Sequence, residues 1–419
     1  MKELKKNQPF KLIDYVTFVV TMFFIAYYFL RLFEFFIDAI TFVIPLIMAV
    51  GYMVLTMNWS EKTLGYILGL VGLVAGTVFV EILCTNDWSI ISFISMFTQL
   101  FMDMFPLYLA YCILKSRNRR LLVVILIVIF LVLAYVITIT FIELSKDDRF
   151  MREMGINYTN YKRYNTTNAG GYQFAYAIAV LIGLLISLFL IPYKKYNKQK
   201  KAGLFLALAV SFFLVLNSSY TLALMICIIV IFVAVTMQMK KTSTKVIFWL
   251  IGAVGFWGLL SLSDVIIALV PTEEMQLRLS EVFAFLKAGD SSGYNLNGRL
   301  TLYWRSIKVF FQSPIIGNVK LDFNPHSSIL RFFARDGILG GMGYLLLYYF
   351  GYHIILKYFI GEEKKKLFTP VFVSLMLMGL VNPIHSVGAV HYIVFLIAPL
   401  TLSIIKTDEE EENETSLGN

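Results

Sequence analysis

The sequence predicts an all-α polytopic membrane protein of about twelve transmembrane helices, with both termini cytoplasmic. Three observations carry this. Apolar residues make up 58% of the 419 residues and charged ones only 15%, against about 45–50% and about 25% in soluble domains. The apolar residues fall in runs of about 18 or more, the length that crosses a bilayer as a helix. Lys and Arg recur in every second interval between those runs, the bias of cytoplasmic loops.

Taken in chain order, the runs place spans at 12–30, 37–57, 64–84, 88–114, 121–144, 172–193, 202–219, 220–239, 246–270, 337–359, 367–382 and 390–405. The cytoplasmic segments are then 1–11, 58–63, 115–120, 194–201, 240–245, 357–366 and the tail from 406. A missed span would break this alternation downstream. The first apolar run is long and no small-residue cleavage site follows it, so no cleavable signal peptide is expected. Four regions result: transmembrane helices in 1–270, a large external loop at 271–336, further spans in 337–406, and an acidic, disordered tail at 407–419.

The net charge of +9 does not point to nucleic acid, because most basic residues lie in short inter-span loops. Their types differ by side. Of 36 Lys and Arg, 22 fall in the cytoplasmic segments, 19 of them Lys; the other 14 comprise nine Arg and five Lys. Lysine serves anionic headgroups as a point charge. Arginine is a rigid fork that takes phosphate and carboxylate bidentately. An Arg-biased outer side suits a phosphate-bearing ligand; the alternative is a chance distribution. Cys84, Cys112 and Cys227 all fall inside spans, so no disulfide framework is expected.

Acidic residues at the spans, namely Glu34, Asp38, Glu81, Asp103, Glu143 and Asp264, lie toward outer ends except Asp103. Intramembrane acids are costly and face a cavity or a partner. Together they predict an outward-open polar cavity; singly, each is equally well an interfacial group in contact with water.

Within 271–336, segment 273–287 has roughly helical, amphipathic spacing at Leu277, Val282, Phe285 and Leu286. Asp290 to Gly298 is turn-rich. Segment 299–312 puts Leu300, Tyr303, Trp304, Ile307, Phe310 and Phe311 on one face and ends before Pro314; such a helix lies on the membrane surface or packs on the bundle. A short helix, Ser327 to Asp336, runs into the span that starts at Gly337. His326 stands at its start, where the helix N-terminus disfavours imidazolium and leaves a neutral ring able to accept a proton. The alternative is a satisfied interfacial histidine. Arg331 and Arg335 are four apart on one helical face; like charges there repel, and an anion between them would relieve this. The alternative is a solvated face.

These residues resemble those of the bacterial O-antigen ligase and Wzy-type polysaccharide polymerase superfamily. The pattern H-[NSQ]-x9-G-x-x-[GTY] is met by His326, Ser327, Gly337 and Gly340, and Gly298-Arg299-Leu300, Trp304, Pro314 and Gly317 match the family's upstream stretch. Arg278 lies about where the family carries an arginine required for activity. The match covers about 65 residues, and the span count and loop placement agree with it. Two departures stand out. Asn318-Val319 follow Gly317 where a second glycine is common. Ser218-Ser219-Tyr220 stands where many members carry Ser-Arg, with Arg163 or Arg149 as candidate substitutes.

The resemblance implies a GT-C-like fold and glycosyl transfer on the outer face of the plasma membrane. The implied partners are an undecaprenyl-diphosphate-linked oligosaccharide, the lipid bilayer, a flippase and a chain-length regulator. On this reading His326, Arg278 and Arg299 are catalytic, with Arg278, Arg299, Arg331 and Arg335 gripping the diphosphate. The leaving group needs charge stabilisation, and the acceptor hydroxyl needs a base within hydrogen-bond reach. The loop has no D-x-D pattern, so neither metal nor cofactor is expected. A polymerase is favoured over a ligase. A flippase is the rival of another class, but flippases show repeats and midplane polar sites, and here the polar residues gather in one loop.

Overall fold

The computed structural model describes residues 9–30, 38–57, 62–85, 90–156, 168–191, 198–270, 273–288, 294–318, 326–384 and 388–405. Among them there are helices and no strands. Sixteen are labelled here: α1 Leu12–Phe29, α2 Asp38–Thr56, α3 Lys62–Thr85, α4 Ile90–Ser116, α5 Arg119–Lys146, α6 Phe150–Ile156, α7 Tyr172–Phe189 and α8 Lys198–Asn217. There follow α9 Thr221–Gln238, α10 Thr242–Ser261, α11 Ser263–Leu269, α12 Glu273–Ala288, α13 Tyr294–Gln312, α14 Ser328–Ile360, α15 Lys365–Val381 and α16 Gly388–Ile404. Among the described residues, eight helices are long and apolar enough to cross a membrane, and three shorter apolar ones accompany them. The acidic tail, Arg31, Glu34 and Arg163 lie outside the described residues.

The helices sort by burial in a way only lipid explains. In α7, every residue from Phe174 to Leu188 is buried. In α10, equally a run of apolar residues, none is, and Trp249, Leu250, Ile251, Val254 and Trp257 are all exposed. A helix that is apolar all round and unburied has hydrocarbon as its solvent. Around α7 pack α8, α9 and α15, while α3 packs along α14 and α4 meets α16. Cys112 and Cys227 are free and buried.

Polar ties set the helix starts. Asn118 caps α5 by accepting from the backbone of Arg120 and Leu121. Its amide donates to Asp14 at 3.2 Å, and Asp14 accepts the Lys11 N–H at 2.9 Å. The basic run at 115–120 is thereby fixed beside the start of α1. Between α8 and α9 the chain reverses at Ser218–Ser219, with Ser219 at φ 60°.

The structure departs from the sequence reading in four places. Residues 294–298, expected as turn, are the first turn and a half of α13. The span at 246–270 is broken at Leu262 into α10 and α11. On α13 the buried positions are Ser306 and Val309, whereas Trp304 and Phe311 are exposed; the predicted single apolar face is split between the bundle and the surroundings. Most consequential, the helix after His326 does not run on into the next span. Gly337, at φ 63° and ψ −160°, breaks α14, and the arm 328–336 folds back. Phe332 therefore stacks on Tyr344 with centroids 4.3 Å apart; a continuous helix would separate the two by about 18 Å along its axis.

Candidate functional site

The fold-back carries His326 to the end of α15. Ser327 caps the arm, accepting the Leu330 N–H at 3.1 Å, and donates to the Gly379 carbonyl at 3.2 Å. The Ser328 N–H bonds the Asn382 carbonyl at 3.1 Å, and its hydroxyl accepts the Ile384 N–H at 2.8 Å. Both hydroxyls are needed to pin the corner, and His326 takes up the backbone strain. Its φ is 51°, a left-handed conformation costing about 1–3 kcal/mol that persists only where the surroundings over-determine it.

Asn382 is the hub of the first cluster. Its Oδ1 accepts from Tyr172 Oη at 3.0 Å and from Arg299 Nη1 at 3.4 Å. Tyr303, one turn along α13 from Arg299, donates to the Val381 carbonyl at 2.8 Å. Arg299 lies in electrostatic reach of Tyr172, Tyr176, Tyr303 and His326. Burial, and then the Arg299 charge, hold the His326 imidazole below its usual range. Burial is the larger cause and an arginine from another helix the smaller; the ring stands before the cap.

The second cluster holds Arg278. Its Nε and Nη2 donate to Glu274 at 3.0 and 2.9 Å, and its Nη1 donates to Glu281 at 2.9 Å. Glu274 also pairs with Arg152 at 3.1 Å and Arg149 at 3.9 Å. Three arginines thus share two carboxylates, a net positive group. Burial and the neighbouring Arg278 lower the Arg152 pKa, against the pull of Glu274. The clusters are bridged by aromatic rings. Tyr220 feels Arg152 and donates to the Met151 carbonyl at 2.8 Å; its ring lies 5.2 Å from Tyr172 and 5.9 Å from Tyr176. Among the described residues, Arg152 stands beside Tyr220; Arg163 lies outside them.

The structure brings His326 and Arg299 together and sets Arg278 beyond the tyrosines. Arg331 and Arg335 are half-buried, so a fully solvated face does not describe them. Arg331 lies in electrostatic reach of Tyr344, while the Arg335 carbonyl packs on Gly317. Of the acids expected to line an outward cavity, the three whose side chains are described each have a neighbouring partner. Glu143 pairs with Lys146 at 2.7 Å, Asp264 accepts from Ser263 at 3.3 Å, and Asp103 is buried beside His391 at 3.2 Å. Sequence reasoning missed Arg152, Glu274, Asn382, Tyr172 and His391. Only Arg152 left a signal, as one of the arginines between the fifth and sixth spans. Comparison with protein-family models and with curated proteins finds no match.

Proposed function

We propose that the chain is a metal-independent membrane glycosyltransferase, a polysaccharide polymerase of twelve spans with cytoplasmic termini, working on the outer face of the plasma membrane. The donor is an undecaprenyl-diphosphate-linked glycan and the acceptor a sugar hydroxyl of another lipid-linked repeat unit. One observation carries the reading: a half-buried histidine in a strained backbone conformation beside Arg299, its pKa lowered by burial and by that charge, with a further arginine group across three tyrosines.

That arrangement matches what the reaction needs. The acceptor oxygen attacks the anomeric carbon, its proton passes to His326, and the bond to the diphosphate breaks with its electron pair leaving on phosphate. A neutral imidazole can take the proton. Fixed guanidinium groups stabilise the departing charge without reorganising. Arg299 is placed for this beside the base; Arg278, spent on Glu274 and Glu281, orders the second group, in which Arg152 is the arginine nearest the tyrosines. The exposed Trp304 ring suits stacking on a sugar face.

Deletion of the gene from its host tests the assignment. Single repeats accumulating on the lipid carrier support a polymerase. Full-length polymer accumulating on the carrier means a ligase instead. Repeats trapped on the cytoplasmic side mean a flippase.

A further inference from the structure

Resting on that reading, we infer that Asp103, His391, Tyr348 and Tyr344 form a positioning chain that runs through the bundle to the corner bearing His326. Asp103 sits midway along α4 and is buried, and His391 of α16 is wholly buried. His391 Nδ1 lies 3.2 Å from Asp103 Oδ1. Its Nε2 lies 3.0 Å from Tyr348 Oη. Tyr344 donates to Tyr348 at 3.2 Å, and Tyr344 in turn bonds the Ser328 side chain and feels Arg331. Ser328 is two residues from His326.

One direction of donation fits every link. With Asp103 ionised, the tautomer that fits places the imidazole proton on Nδ1 and leaves the Nε2 lone pair for the Tyr348 hydroxyl. Tyr348 is then free to accept from Tyr344. Ser328 Oγ accepts the Ile384 N–H at 2.8 Å, which leaves its own proton for Tyr344. Four side-chain contacts in a row link Ser328, beside the backbone after α15, to Asp103 in the middle of α4. Such chains polarise cooperatively, and an intramembrane carboxylate with a named partner marks function more often than packing. The groups facing Asp103 are His391 and Tyr392 from α16, Tyr344 and Tyr348 from α14, and Tyr28 from α1.

The fold-back explains why the chain is needed. The arm 328–336 is held at one end by Gly337 and at the other by Ser328. If Tyr344 loses its orientation, Ser328 loses a partner and the His326 corner drifts. These are positioning residues, since none touches the reacting atoms.

The test uses the full-length protein in liposomes with lipid-linked repeats, measuring kcat and KM separately. Tyr348→Phe removes one oxygen and is expected to lower kcat about tenfold, with KM within about twofold, normal expression, and a protein still folded at the assay temperature. Asp103→Asn is expected to lower kcat similarly, and the double variant to be no worse than the more affected single variant, because both cut one chain. Tyr392→Phe, which faces Asp103 outside the chain, should leave kcat unchanged. Wild-type kcat in Tyr348→Phe, or additive losses that track thermal stability, overturns the inference while leaving the proposed function intact. Normal polymer from His326→Ala overturns the base assignment, and the positioning role with it.

Discussion

Gly317 and Gly337 pack backbone against backbone, and each excludes a side chain from the other. A Cβ on Gly317 would lie 2.1 Å from the Arg335 carbonyl oxygen; one on Gly337 would lie 2.3 Å from that of Ile315. Both residues have positive φ. The contact is closed by the Ile338 N–H on the Pro314 carbonyl at 2.8 Å and the Asn318 N–H on the Ala334 carbonyl at 3.1 Å. Two glycines 20 residues apart are thus one structural unit, which turns α14 back and delivers His326 to Asn382.

Gly337→Ala should therefore destabilise the protein by about 2 kcal/mol or more, combining left-handed strain with an overlap that only backbone movement relieves. Thermal unfolding in detergent measures this. Gly69→Ala on α3, where a Cβ meets nothing within 4 Å, should be neutral or slightly stabilising.

The pH dependence follows from His326. Burial and Arg299 lower its folded pKa, so the unfolded chain binds this proton at a higher pH than the folded one. Stability from this group is present above the unfolded value, near pH 6.5, and falls as pH drops below it. Activity, which needs the neutral ring, should survive into mildly acidic buffer. Arg299→Gln removes one of the two causes, so the acid limb of kcat/KM should move to higher pH, and the rate should drop about tenfold or more.

Arg278 meets Glu274 and Glu281 through separate guanidinium nitrogens. Lysine cannot reproduce that fork. Arg278→Lys should fail almost as badly as Arg278→Ala in polymer synthesis. Arg152→Gln should lower transfer by about tenfold or more, since it removes a preorganised charge; near-normal transfer would show that the second cluster only braces the loop.

Exhaustive chelation should leave transfer unchanged. Loss of activity restored by a divalent cation would assign the charge stabilisation to metal rather than to arginine.

How much of this was legible in the sequence depends on range. The helices were, because apolar run length and hydrogen-bond closure in lipid are local properties; α7 and α10 are equally readable although one is buried and the other bare. His326 and Arg299 were legible as a motif. Their proximity was not, since it depends on a reversal at Gly337 that the helical pattern on both sides conceals. Asn382 and His391 left no trace: one ends an apolar run and the other interrupts one, and only packing against α4, α7, α13 and α14 gives them partners. Arg152 was counted among outer basic residues, yet nothing in its neighbours distinguished it from Arg149 or Arg163.

The most direct test of the account is chain extension by the purified protein in liposomes. The substrate is undecaprenyl-diphosphate-linked repeats, with products resolved by gel. The account predicts a ladder of longer glycans with release of undecaprenyl diphosphate, and its complete loss in His326→Ala protein that inserts and expresses normally. Repeats recovered at unchanged length, or a ladder undiminished by His326→Ala, would contradict it.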